Sequence, residues 1–207
     1  MRGFTISPVI PAMRDLGYNP DDLSVQISEM LVATTDTADS EIDQAVPEVL
    51  KLVRDKLKMD VVFVSEFANG RRVFRFVDTP PDQPVIAPGG SDPLQDAWCQ
   101  RVVDGRLPQY IPDAQTLPAS APLVKALPFP IGTHLSVPIV LQSGEVYGTL
   151  CAFSFKPKEP AEADDLKVLR YTAQLAAKKI DEHRALARQR PPEPELSLVP
   201  IEKKKGW

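Results

Sequence analysis

Between Gly132 and Phe155 the chain carries two apolar runs separated by Gln142-Ser143-Gly144. The first reads Gly-Thr-His-Leu-Ser-Val-Pro-Ile-Val-Leu, the second Glu-Val-Tyr-Gly-Thr-Leu-Cys-Ala-Phe-Ser-Phe. β-Branched and aromatic residues flanking a Ser-Gly turn predict a β-hairpin. Alternation places Leu135, Val137 and Ile139 on one face, with His134, Ser136 and Pro138 on the other. In the second run Val146, Leu150 and Ala152 oppose Tyr147, Thr149, Cys151 and Phe153. Neither face is polar enough to meet water, so both are expected to be covered. One reads as ordinary core. The other scatters small polar groups among apolar ones, as a pocket wall does.

Residues 1 to 20, with Pro8, Pro11 and Pro20, read as an extended arm. Leu23, Ile27, Met30 and Leu31 recur at helical spacing behind Asp21 and Asp22, predicting a short amphipathic helix. Ser40 is a candidate cap for a second helix, with Asp43 three residues on. That helix carries Ile42, Val46, Val49, Val53 and Leu57 on one stripe, and Pro47 kinks it or marks a second piece. Asp60 to Phe67 is β-rich, Asn69-Gly70 is a strong hairpin signal, and Arg71 to Val77 forms the return strand. There Val73, Arg75 and Val77 alternate against Phe74 and Phe76. Thr79 to Pro93 reads as loop, and Leu94 to Val103 as helix ended by Gly105. Tyr110 and Ile111 form a short extended segment. Four prolines between 118 and 130 leave room for one short helix near Leu123 to Leu127. Ala161 to Arg188 is a long helix with Leu169, Ala173, Ala176, Ile180 and His183 at heptad spacing.

This order predicts an α+β fold. A central antiparallel sheet of five to six strands carries the terminal helices on one face, and crossover loops and short helices on the other. The expected divisions are an arm at 1–38, a domain at 39–188 and a Pro-rich, charged tail at 189–207. The 207 residues suffice for one domain with extensions. A net charge of -4 argues against nucleic acid as the main partner. The sequence has no apolar run of membrane-spanning length and no signal-peptide core at Met1. Two cysteines make neither a disulfide framework nor a metal motif, and a reducing, cytoplasmic setting is expected.

Several stretches together resemble the GAF domain family of small-molecule-sensing signalling modules. They are Met59 to Phe67, Ile111-Pro112-Asp113-Ala114, Ser136-Val137-Pro138-Ile139, the Gly144-to-Leu150 hairpin and the closing helix, over about Ser40 to Arg188. Trp98 to Pro108 is similar to a GAF subgroup often placed before cyclic-di-GMP-handling domains. The resemblance implies a ligand cavity between sheet and crossover, and signalling to a separate output protein. Bilin-binding members carry a Cys-His pair where this chain has Ala121-Pro122, so covalent bilin attachment is not expected. Cys99 matches one cysteine of the free methionine sulfoxide reductases, but Leu123 holds the second position, so no disulfide relay is expected there.

The candidate ligand-binding residues are Ser65, Phe74, Trp98, Cys99, Arg101, Tyr110, Asp113, His134, Ser136 and Cys151. His134 faces the cavity or is a hydrogen-bonded histidine at a strand end. Trp98 roofs the pocket or fills core. Cys99 packs or senses redox state, and Cys151 is a small buried hydrophobe. Arg101 holds an anion or faces solvent, and Asp113 binds a ligand or caps its turn. The leading expectation is a non-enzymatic sensor that binds a small molecule whose identity, like any cofactor, is open. It pairs as a homodimer through its terminal helices. A closed-cavity dimerisation domain and a thiol redox enzyme are the alternatives.

Overall fold

The computed structural model of the chain describes residues 39–158 and 163–189. The arm, its amphipathic helix and the tail lie outside the described residues. Helix α1 runs Asp39–Leu57, and strands β1 (Val61–Ala68) and β2 (Arg71–Asp78) follow as a hairpin. Then come strand β3 (Ser91–Pro93), a 3₁₀ turn at Leu94–Asp96, helix α2 (Trp98–Val103), strand β4 (Tyr110–Ile111) and helix α3 (Ala121–Lys125). Hairpin β5 (His134–Val140) and β6 (Val146–Phe153) leads to helix α4 (Ala163–Gln189). The six strands form one sheet in the order β3-β2-β1-β6-β5-β4, with every pairing antiparallel.

The sheet divides two cores, as two-sided burial requires. On one face Leu50, Val53 and Leu57 of α1 and Leu169, Ala173 and Ala177 of α4 pack against Val62, Leu135, Val137 and Leu150. Leu50, Leu135, Val137, Leu150 and Leu169 are buried to within 1 % of complete. Each such side chain contributes about 1.5–3 kcal/mol. On the other face Phe63, Phe74, Cys151 and Phe153 meet Trp98, Cys99 and Val102 of α2 and Ile131 of the crossover. The heptad stripe of α4 packs on its own sheet, with Leu169 and Ala173 buried and Ala176 and Ile180 partly so.

The turns obey their residues. Asn69 and Gly70 both take positive φ (52° and 72°), the pairing a two-residue hairpin turn needs. Alternation fails at two bulges. Val64 pairs with Phe76 and Ser65 with Phe74, so Arg75 is an extra residue. Phe74 and Phe76 therefore lie on opposite faces rather than together, Phe74 in the crossover core and Phe76 against the helices. Ile139 pairs with Gly148 and Val140 with Val146, leaving Tyr147 extra and turning it toward the helix side.

Other boundaries also shift. Pro47 sits within one continuous helix, and that helix begins at Asp39, which puts Ser40 inside its first turn. The expected Leu94–Val103 helix breaks at Ala97, whose backbone is extended. The short crossover helix starts at Ala121 rather than near Leu123. The segment expected to be loop through Pro93 ends in β3, which pairs with β2.

Candidate functional site

The pocket lies where the resemblance implied, between the sheet and the crossover. Its sheet wall is Phe63, Arg72, Phe74, His134 and Phe153. Trp98 of α2 and Leu127, Phe129 and Ile131 of the Pro-rich crossover close it. Phe63 meets Phe74 edge-on at 5.2 Å between ring centroids, and Phe129 stacks on Phe153 at 5.7 Å. Aromatic filling leaves a cavity of about 40 Å³. A water molecule takes roughly 10–15 Å³ on this measure, so there is room for about three.

His134 enters this apolar setting from the start of β5. It is 2 % exposed, its ring centroid stands 5.2 Å from that of Trp98, and its Nδ1 has no hydrogen-bond partner. Burial, aided by the charge of Arg72, lowers its pKa to about 3. The imidazole is therefore neutral, with one ring nitrogen to donate and one to accept.

Arg72 is the charge of the site. Its guanidinium lies 4.8 Å from the Phe74 ring centroid and 5.8 Å from that of Phe63. Nε donates to Asp92 Oδ1 at 2.9 Å, Nη2 donates to Asp92 Oδ2, and Nη1 donates to Cys99 Sγ at 3.2 Å. Strand β3 supplies the carboxylate, because Arg72 pairs directly with Asp92 in the ladder. Burial works against the charge, yet Cys99 and Asp92 outweigh it and raise the pKa further.

Behind the pocket wall runs a buried polar layer. Ser65 Oγ and Thr149 Oγ1 are 2.9 Å apart, and Cys151 Sγ lies 3.2 Å from Thr149 Oγ1 and 3.1 Å from Ser136 Oγ. Cys151 Sγ also lies 3.0 Å from Cys99 Sγ. Both thiols are reduced and buried. Burial alone raises a thiol's pKa. In Cys99 it is outweighed by the hydrogen bond with Cys151, the charge of Arg72 and further hydrogen bonds, so Cys99 is lowered. In Cys151 burial and the neighbouring Cys99 act together, and it is raised.

Six of the ten expected residues thus gather around Arg72. Phe74, Trp98 and His134 line the pocket, and Cys99, Cys151 and Ser136 stand directly behind it. Ser65 joins them through Thr149. The remaining three lie elsewhere. Tyr110 packs against the helix-side core. Asp113 accepts the Gln115 N–H at 2.9 Å and so caps its own turn. Arg101 does not line the pocket, and its buried Nε lacks a hydrogen-bond partner.

Sequence reading overlooked Arg72 itself. The available signal was a cation two positions before Phe74 on a strand otherwise flanked by aromatics. Leu123 packs as a hydrophobe on the crossover core, whereas the second sulfur near Cys99 comes from β6. His183 is exposed on α4, away from the pocket. Among the described residues no group of His, Cys, Asp and Glu could hold a metal, and no helix is long and apolar enough to cross a membrane.

Residues 39–181 match the GAF domain family. The chain belongs to that family. No curated protein sequence matches it. Among solved structures, it is similar to the GAF domain of the Acinetobacter phosphoenolpyruvate-protein phosphotransferase, with TM-score 0.60 and 17% identity, over 77% of this chain and 93% of that one. It is also similar to the phycocyanobilin-bound GAF domain of a cyanobacterial phytochrome, with TM-score 0.61 and 15% identity, over 81% and 97%. A third likeness is to the free methionine-R-sulfoxide reductase of Neisseria meningitidis in complex with its substrate, with TM-score 0.60 and 15% identity, over 79% and 91%. At these identities the GAF fold is what is shared.

Proposed function

We propose that this GAF domain is a non-enzymatic, cytoplasmic sensor. It binds a small molecule between sheet and crossover and passes the occupied state to a separate signalling protein. The observation that carries the reading is the orphaned Nδ1 of His134 on the cavity wall. A buried polar atom without a partner costs about 1–3 kcal/mol. A ligand that offers a hydrogen bond there recovers the cost. The rings of Trp98 and Phe63 favour a flat, conjugated body, and the guanidinium of Arg72 favours an electron-rich edge. Two related folds support the reading, one holding phycocyanobilin and the other its substrate.

A cavity of about 40 Å³ admits only a very small ligand as it stands. Anything larger enters by displacing Leu127 and Phe129, which are half-buried on the crossover. Strand β5 couples the faces: His134 looks into the pocket, while Leu135 and Val137 seat α4. Pairing of two copies through the terminal helices is part of the proposal. Exposure of Leu186 (62%) on the last turns of α4, beyond the Arg184–Glu145 ion pair at the hairpin, supports it. The likeness of Trp98 to Pro108 to GAF domains placed before cyclic-di-GMP-handling domains favours such a protein as the output partner.

The small cavity also favours a second reading, a closed-pocket dimerisation domain. Thermal unfolding in fractionated cell metabolites separates the two. The sensor predicts that one fraction raises the Tm of the wild type by several degrees and leaves His134→Phe unmoved. No shift with any fraction, or equal shifts in both proteins, favours the closed domain.

A further inference from the structure

We infer that Cys99 and Cys151 form a peroxide-oxidised dithiol, closing a buried disulfide beneath the pocket. The two sulfurs come from α2 and β6, fifty-two positions apart, yet stand 3.0 Å from one another. A disulfide needs about 2.05 Å, so closure asks for a shift of roughly 1 Å. These are the only two cysteines in the sequence. Their surroundings are unequal in the way the chemistry requires. Cys99 receives the Arg72 guanidinium at 3.2 Å, which favours its thiolate and so its nucleophilicity. Cys151 lies among the hydroxyls of Ser136 and Thr149, without a cation, and remains a thiol.

The route for the oxidant is the cavity. Arg72 forms part of its wall and touches Cys99, so the thiol lies one side chain behind the space. A void holding about three waters suits hydrogen peroxide, whereas a bulky hydroperoxide enters only by displacing Leu127 and Phe129. The Cys99 thiolate attacks one peroxide oxygen and the O–O bond breaks. This gives a Cys99 sulfenic acid and a hydroxide that takes a proton to become water. The Cys151 sulfur then attacks the sulfenic sulfur, the S–S bond forms, and the Cys151 proton leaves with the hydroxyl as a second water. Two thiols lose two electrons and one peroxide gains them. Once the disulfide has formed, Arg72 loses its anionic sulfur partner and keeps Asp92 alone, so the charge on the pocket wall changes with redox state.

The test needs no ligand, so its outcome is independent of the sensor reading. The intact protein is exposed to hydrogen peroxide, unfolded in an alkylating reagent and digested without reductant. The expected product is an intramolecular link between the Cys99 and Cys151 peptides, with both thiols lost together. At pH 6 the rate should hold near its pH 8 value, whereas an ordinary thiol slows on the order of a hundredfold between pH 8 and 6. tert-Butyl hydroperoxide should react at least tenfold more slowly. In Cys151→Ser, Cys99 should stop at a sulfenic acid that dimedone traps. Overturning results are two alkylatable thiols after treatment, a Cys99 sulfinic acid beside a free Cys151, or a link between two chains.

Discussion

Gly148 of β6 passes so close to Ser65 of β1 that a Cβ built on it would stand 1.9 Å from the Ser65 carbonyl oxygen. The two strands are paired there, Glu66 opposite Gly148 and Ser65 opposite Thr149, so neither backbone can retreat without breaking the central ladder. The same contact lies beside the bulge that turns Tyr147 to the helix side. Gly148→Ala should therefore cost about 3 kcal/mol, the upper range for overpacking. Urea unfolding monitored by circular dichroism measures it, and a cost below 1 kcal/mol would mean that the strands do not approach as described.

His134 should make stability depend on pH in one direction. Its folded pKa, about 3, lies below the ordinary 6.5, so the unfolded chain binds the proton first. Stability is unaffected above about pH 6.5 and falls as pH drops from there toward 3. Between pH 7 and 5 the group contributes a loss of about 2 kcal/mol. Equilibrium unfolding at the two pH values should show a larger drop for wild type than for His134→Phe. Equal drops would place His134 in a wetter or hydrogen-bonded setting.

Arg72 on the pocket wall is ion-paired with Asp92 of β3. The Arg72 side chain is 12% exposed and that of Asp92 36%. Removing the carboxylate leaves a nearly buried cation with only the Cys99 sulfur and the rings of Phe63 and Phe74 beside it. Asp92→Asn should cost about 2 kcal/mol, less than a fully buried pair because Asp92 is partly solvated. In the Arg72→Met background the same change should cost less than 1 kcal/mol. Additive costs would show that the two do not interact.

Association through α4 predicts a particle of twice the chain mass. Light scattering at tens of micromolar should report it, and Leu186→Glu should shift the population toward monomer. A monomeric mass for the wild type counts against pairing.

The fold was legible because the strongest signals were local and repeated. Asn69-Gly70, Ser143-Gly144 and the apolar runs around them define both hairpins, and Val49, Val53 and Leu57 define the helix that covers them. The failures have physical causes. One extra residue in a ladder reverses every following face, so Phe76 and Tyr147 were misplaced by bulges that have no period of their own. A three-residue edge strand, β3, has too few residues to show alternation, and with it the partner of Arg72 was lost from view. Alternation along β5 points His134 into the pocket, whereas Trp98 reaches it from helix α2, where strand alternation says nothing. The meeting of Cys99 with Cys151 depends on how α2 lies across the sheet, and spacing along the chain says nothing of that.

The central claim is that the space between Trp98 and His134 receives a small molecule. Native mass spectrometry of the protein after incubation with a cell metabolite extract tests it most directly. The account predicts a single non-covalent adduct of defined mass on the wild type, absent from His134→Phe. A wild type that carries no adduct, or a variant that carries the same one, would contradict it.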